Sequence, residues 1–144
     1  MSVTQQIKLA PFYNRHLSRR DEPRVRGGAL DWANMKVETL SSNPLVLVVD
    51  DVFRPETLEG LLRFTRGTSM WTHVKHNGYL CAYPSGGFAT PLLGQLAEEL
   101  PLIAPDLSCG YQLVTSWGYL YDDVRSLGIG IHADIARVNI NCWI

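Results

Sequence analysis

From Ala136 to Ile144 the chain alternates without interruption. Ala136, Val138, Ile140, Cys142 and Ile144 fall on one side of an extended backbone, and Arg137, Asn139, Asn141 and Trp143 fall on the other. Successive side chains of a strand point to opposite faces, so this spacing predicts a β-strand with one apolar face to bury. A strand requires neighbours, and the pattern therefore commits the chain to a sheet. The polar row with its Trp either faces solvent or lines a cavity that holds something polar. Immediately upstream, a short apolar run after Gly128 leads into His132, and Asp134 follows two residues later at the corner between the two expected strands.

The preceding chain supplies two helices and further strands. Leu45 to Val49 is a continuous apolar run, which predicts a strand buried on both faces, and Asp50-Asp51 reads as the turn that ends it. Pro55 stands where a first helical residue belongs. Leu58, Leu61, Leu62 and Thr65 then follow at i, i+3, i+4 and i+7, predicting an amphipathic helix over 55–66 that Gly67 ends. Asn77-Gly78 signals a hairpin turn, with a strand over 79–83. Thr90 and Pro91 read as N-cap and first residue of a second helix, with Leu92, Leu93, Leu96, Ala97 and Leu100 as its stripe and Pro101 as its stop. Residues 111–121 are aromatic and β-branched and predict one long or bent strand, with Gly118 as a bulge. The tally is α+β, two helices first and then antiparallel strands with short turns, heading into a sandwich or barrel.

Composition narrows the class. A chain of 144 residues with 46% hydrophobic and 19% charged content is expected to form one soluble domain. A net charge of −1 gives no global reason to expect nucleic acid or an anionic membrane. Residues 1–42 read as a leader without assigned elements, and its basic residues (Lys8, Arg15, Arg19, Arg20, Arg24 and Arg26) lack the aromatic interleaving of a nucleic-acid arm. Three cysteines without a CxxC pair suit reduced thiols, and no secretory h-region or membrane-length apolar run is present, so the expected compartment is cytoplasmic.

His132 and Asp134 are the residues that carry chemistry. An imidazole and a carboxylate two apart at a strand corner can chelate a divalent metal, and such a pair suits two positions of a non-haem Fe(II) site. The alternative is a His hydrogen-bonded to a turn Asp. His73 and His76 are three apart, but Asn77-Gly78 argues against the helix that would converge them, so they are expected as polar hairpin residues.

Four stretches resemble the 2-oxoglutarate- and Fe(II)-dependent oxygenases, in the bacterial branch related to prolyl 4-hydroxylases. These are residues 50–58 (DDVFRPETL), 76–83 (HNGYLCAY), 87–93 (GFATPLL) and 131–144 (IHADIARVNINCWI). The resemblance runs from about residue 43 to the end and is most specific in the last seventeen residues. It implies a double-stranded β-helix, or jelly-roll, over 43–144, with His132 and Asp134 as two of three Fe(II) ligands. It implies 2-oxoglutarate as cosubstrate, decarboxylated to succinate and CO2 as a C–H bond of a peptidyl or small-molecule substrate is hydroxylated, with ascorbate as an accessory reductant. It places Tyr121, and more weakly Asn139, as cofactor-binding residues that help hold 2-oxoglutarate. A core or substrate-wall Tyr and a sheet-edge Asn are the other readings of those two positions.

One departure from the family stands out. The second iron-binding His and the Arg or Lys that pairs with the far carboxylate of 2-oxoglutarate lie several strands beyond His-x-Asp in the family. Here no His follows His132, and no Arg or Lys follows Arg137. The expectation is therefore an N-terminal part of an oxygenase, a partial jelly-roll inactive alone and open to self-association through an exposed strand edge. The alternative is a non-enzymatic binding or assembly module on the same partial fold.

Overall fold

The computed structural model describes residues 21–75, 78–121, 132 and 134–144. The elements are β1 (Lys36–Ser42), β2 (Leu45–Asp50), α1 (Pro55–Gly67), β3 (His73–Val74), β4 (Leu80–Ala82), α2 (Pro91–Glu99), α3 (Pro105–Ser108) and β5 (Gly118–Leu120). Strands β1 and β2 form an antiparallel ribbon, and β3, β4 and β5 form a second antiparallel sheet in that order. The described chain is thus mixed α+β, with small sheets and three helices. No described helix is long and apolar enough to cross a membrane.

Both expected helices form, each with Pro at its start, but their buried faces differ from the leucine stripes. In α1 the buried residues are Thr57, Gly60, Leu61 and Phe64, again at i, i+3, i+4 and i+7, while Leu58 is 38% exposed. The face is set by close approach to α2: a Cβ at Gly60 would lie 2.9 Å from Leu92 Cδ2. The Thr57 hydroxyl is satisfied there, donating to Ala29 O at 2.7 Å. In α2 the buried residues are Leu92, Gln95 and Leu96. Pro101 does not stop the chain's winding, which continues as a 3-10 turn over Leu100–Ile103.

The Gln95 amide is buried because it clamps the backbone of residue 25. Val25 N donates to its Oε1 at 2.7 Å, and its Nε2 donates to Val25 O at 3.0 Å. Glu99 Oε2 accepts from Ala29 N at 2.7 Å and Leu30 N at 3.2 Å. Thr90 does not cap α2 with its side chain. Its hydroxyl donates to Glu22 O at 2.6 Å and accepts from Glu22 N at 2.8 Å. Buried backbone groups need partners, and here side chains of α2 play the part of a neighbouring strand. Residues 22–30, which the sequence suggested as leader, are thereby fixed along α2, and Ala29 and Leu30 join Leu61, Leu92 and Leu96 in one core cluster. Phe64, Met70 and Ala82 form a second.

The strands depart further from expectation. β2 pairs only with β1 among the described residues, so it is not buried on both faces: Leu45, Val46 and Val48 are 43%, 42% and 36% exposed. The acidic pair after it is a turn as expected, with Asp51 at φ 53 and its carboxylate 2.9 Å from Lys36 Nζ. The long strand over 111–121 shrinks to Gly118–Leu120, and Val114, with no strand beside it in the described chain, is 84% exposed. Gly118 opens that strand instead of bulging it; the Phe88 ring occupies the place of a side chain. Residues 134–144 contain no strand and pair with no described strand, so the alternation of 136–144 is not realised as a ladder. The expected turn over 122–128, the strand leading into His132, and His76 with Asn77 lie outside the described residues.

Candidate metal pair and tyrosine face

His132 and Asp134 lie side by side. Nε2 of His132 is 3.7 Å from Oδ1 of Asp134, with the two side chains 53% and 36% exposed. A short turn follows them, Ala136 N donating to Asp134 O at 2.9 Å. Metal bonds to imidazole nitrogen and carboxylate oxygen are about 2.1 Å long, so two donors up to ~4.2 Å apart can reach one ion between them. The pair fits two positions of a metal site. Among the described residues no group of three His, Cys, Asp or Glu side chains gathers to complete one. His73 is exposed on β3, its ring edge-on to Tyr83 at 5.2 Å.

Tyr121 directly follows β5 and belongs to an aromatic row. Its ring is 5.2 Å from Tyr79, 6.1 Å from Tyr119 and 6.3 Å from Trp143, against which it stacks. This contact and Arg137, whose guanidinium lies 5.9 Å from the Tyr111 ring centroid, tie the C-terminal segment to residues 111–121. Burial pushes the Tyr121 phenol above its ordinary value, as it does for Tyr119. Both hydroxyls therefore stay protonated at neutral pH and available as donors. Asn139 lies in the exposed segment after Asp134, which forms no strand.

The register explains how the tyrosines gather. Cys81 faces His73 on β3 and Tyr119 on β5, so residues two apart from these share one side of the sheet. That side carries His73, Lys75, Tyr79, Cys81, Tyr83, Tyr119 and Tyr121. The other side carries Ala82, in the cluster with Phe64 and Met70, and Gly118 under Phe88. Lys75 extends along the tyrosine side, donating from Nζ to Tyr83 Oη at 3.0 Å and lying 5.5 Å from the Tyr83 ring centroid. The sequence reading took Tyr121 alone from this set. The signal for the rest was present as period-two spacing, with Lys75, Tyr79, Cys81 and Tyr83 on one hairpin and Tyr119 and Tyr121 on the next strand.

No known protein family matches the chain, and neither the curated proteins nor the solved structures contain a match.

Proposed function

We propose that this chain carries the first metal-binding half of an Fe(II)- and 2-oxoglutarate-dependent oxygenase of hydroxylase type, built on part of a double-stranded β-helix. The observation that carries the reading is the His132–Asp134 pair, two donors of different charge within reach of one ion. The resemblance of residues 131–144 to the family supplies the identity of the metal.

In this reading, His132 offers a neutral imidazole and Asp134 a carboxylate that offsets part of the ion's charge. Tyr121, protonated and beside the aromatic row, donates to a carboxylate of 2-oxoglutarate, and Asn139 is a second, weaker candidate for that pocket. Iron, when bound with O2 and 2-oxoglutarate, supplies the oxidising power for hydroxylating a C–H bond of a peptidyl or small-molecule substrate, with ascorbate as a reductant that maintains Fe(II). The chain's own contribution is to hold two ligands and orient the cosubstrate. Two ligands bind less tightly than three, so the His132–Asp134 pair by itself holds a metal ion with modest affinity. Titration with Mn(II), followed by its electron paramagnetic resonance signal, tests this: one saturable site is expected, lost in both His132→Ala and Asp134→Ala. Binding unchanged in both variants would refute the assignment.

The exposed apolar ribbon favours a second reading, an assembly module. Val37, Leu40, Leu45, Val46 and Val48 are all exposed on β1 and β2. That reading requires self-association and no metal binding at His132 and Asp134.

A further inference from the structure

Trp143, Tyr121, Tyr79 and Tyr119 form a row of rings with one end in solvent. Trp143 is 81% exposed, and its indole stacks on Tyr121 at 6.3 Å between centroids and 29° between planes. Tyr121 lies 5.2 Å from Tyr79, which in turn meets Tyr119 edge-on at 5.2 Å. Tyr79 is buried, and pairing of Cys81 with Tyr119 and of Leu80 with Leu120 fixes the strands that carry the inner rings. Aromatic pairs at these separations are in contact and mutually favourable. Packing accounts for the contacts but not for their order, an indole left in solvent with phenols behind it.

We infer that the row is a one-electron route: an oxidising equivalent that strikes Trp143 passes inward to Tyr121, whose ring touches those of Tyr79 and Tyr119. At neutral pH a phenol gives up an electron together with its proton more readily than an indole does, which sets the direction. A solvent-borne one-electron oxidant takes an electron from Trp143 and is itself reduced, and the indole N–H proton passes to water. The indolyl radical then takes one electron from Tyr121 and one proton from water, which restores the indole. Tyr121 releases its O–H proton to water and becomes a phenoxyl radical. In sum Tyr121 has lost one electron and one proton, and the oxidant has gained the electron. Burial keeps the Tyr121 phenol protonated at neutral pH, so its electron leaves with a proton. The route requires no metal and is independent of the oxygenase reading.

Metal-free protein of the full 144 residues, carrying Trp32→Phe, is the material for the test, because Trp32 is 54% exposed and competes for the oxidant. Ruthenium(III) tris-bipyridine is generated in solution by a laser flash, and indolyl and phenoxyl radicals are followed through their separate absorption bands. The indolyl radical is expected to decay into phenoxyl at a rate independent of protein concentration. Tyr121→Phe should prolong the indolyl radical at least tenfold, and Trp143→Phe, at an exposed position, should remove this phase. Tyr83→Phe, whose ring packs on His73 instead, should leave the rate unchanged. Equal indolyl lifetimes with and without Tyr121→Phe, transfer that speeds up in proportion to protein concentration, or a phase that survives Trp143→Phe overturns the proposal. If Tyr121→Phe does not fold, as judged by circular dichroism, Trp143→Phe decides alone: loss of the phase supports the route and its survival overturns it.

Discussion

An alanine at position 118 would place its methyl carbon 2.7 Å from Phe88 Cε2 and 3.1 Å from Phe88 Cζ. A ring wedged between sheet and core cannot yield that distance without moving its own neighbours, among them Phe64 at 6.1 Å between centroids. Gly118→Ala is therefore expected to destabilise the fold by about 1–3 kcal/mol, the usual cost of overpacking, read as a lower urea midpoint with the slope unchanged. The position also marks a limit of reading from sequence. A glycine amid strand-forming residues signals close approach or a bulge with equal force, and only the distant Phe88 decides between them. Gln95, Glu99 and Thr90 are the same case. Their side chains hold backbone 68 to 70 residues away, and nothing local announces it.

The elements that were legible are those whose causes are local. Both main helices start at a proline and carry apolar residues at helical spacing, and both formed within a residue or two of expectation. Strands failed where they depend on partners. Residues 111–117 and 136–144 have strand-like composition or alternation, but alternation states a preference for faces without naming the edge that must pair. Within the sheet that did form, the tyrosine side makes a prediction of its own. Burial holds the phenols of Tyr119 and Tyr121 above their ordinary value, so above about pH 10 the unfolded chain has released protons that the folded chain retains. Their contribution to stability is fully present below that pH and is lost as the pH rises through the folded values. Urea midpoints measured below and above about pH 10 should fall on the alkaline side, and the fall should be smaller in Tyr119→Phe.

Among the described residues of the whole molecule, the core is built from helices α1 and α2, residues 22–30 and one face of the β3–β4–β5 sheet, while the β1–β2 ribbon is two-stranded and carries exposed apolar residues. An isolated two-stranded ribbon is marginal in water, and an uncharged edge such as Leu45 to Val49 invites pairing with another strand. Self-association through that edge is expected to rise with concentration in sedimentation analysis and to be relieved by Val46→Lys. A chain that stays monomeric at all concentrations would remove the support for an assembly module. The candidate metal pair was legible in the sequence because its two members are neighbours; the tyrosine face was not, because it is assembled from three strands.

The central claim is that His132 and Asp134 share one metal ion, and it is tested most directly by locating the ion. Mn(II) added to isotopically labelled protein broadens the amide signals of nearby residues. The account predicts that residues 132 and 134 broaden first, with Tyr121 and Asn139 next, and that His132→Ala abolishes the effect. Broadening centred on His73, or no broadening at any position beyond that of nonspecific binding, would contradict it.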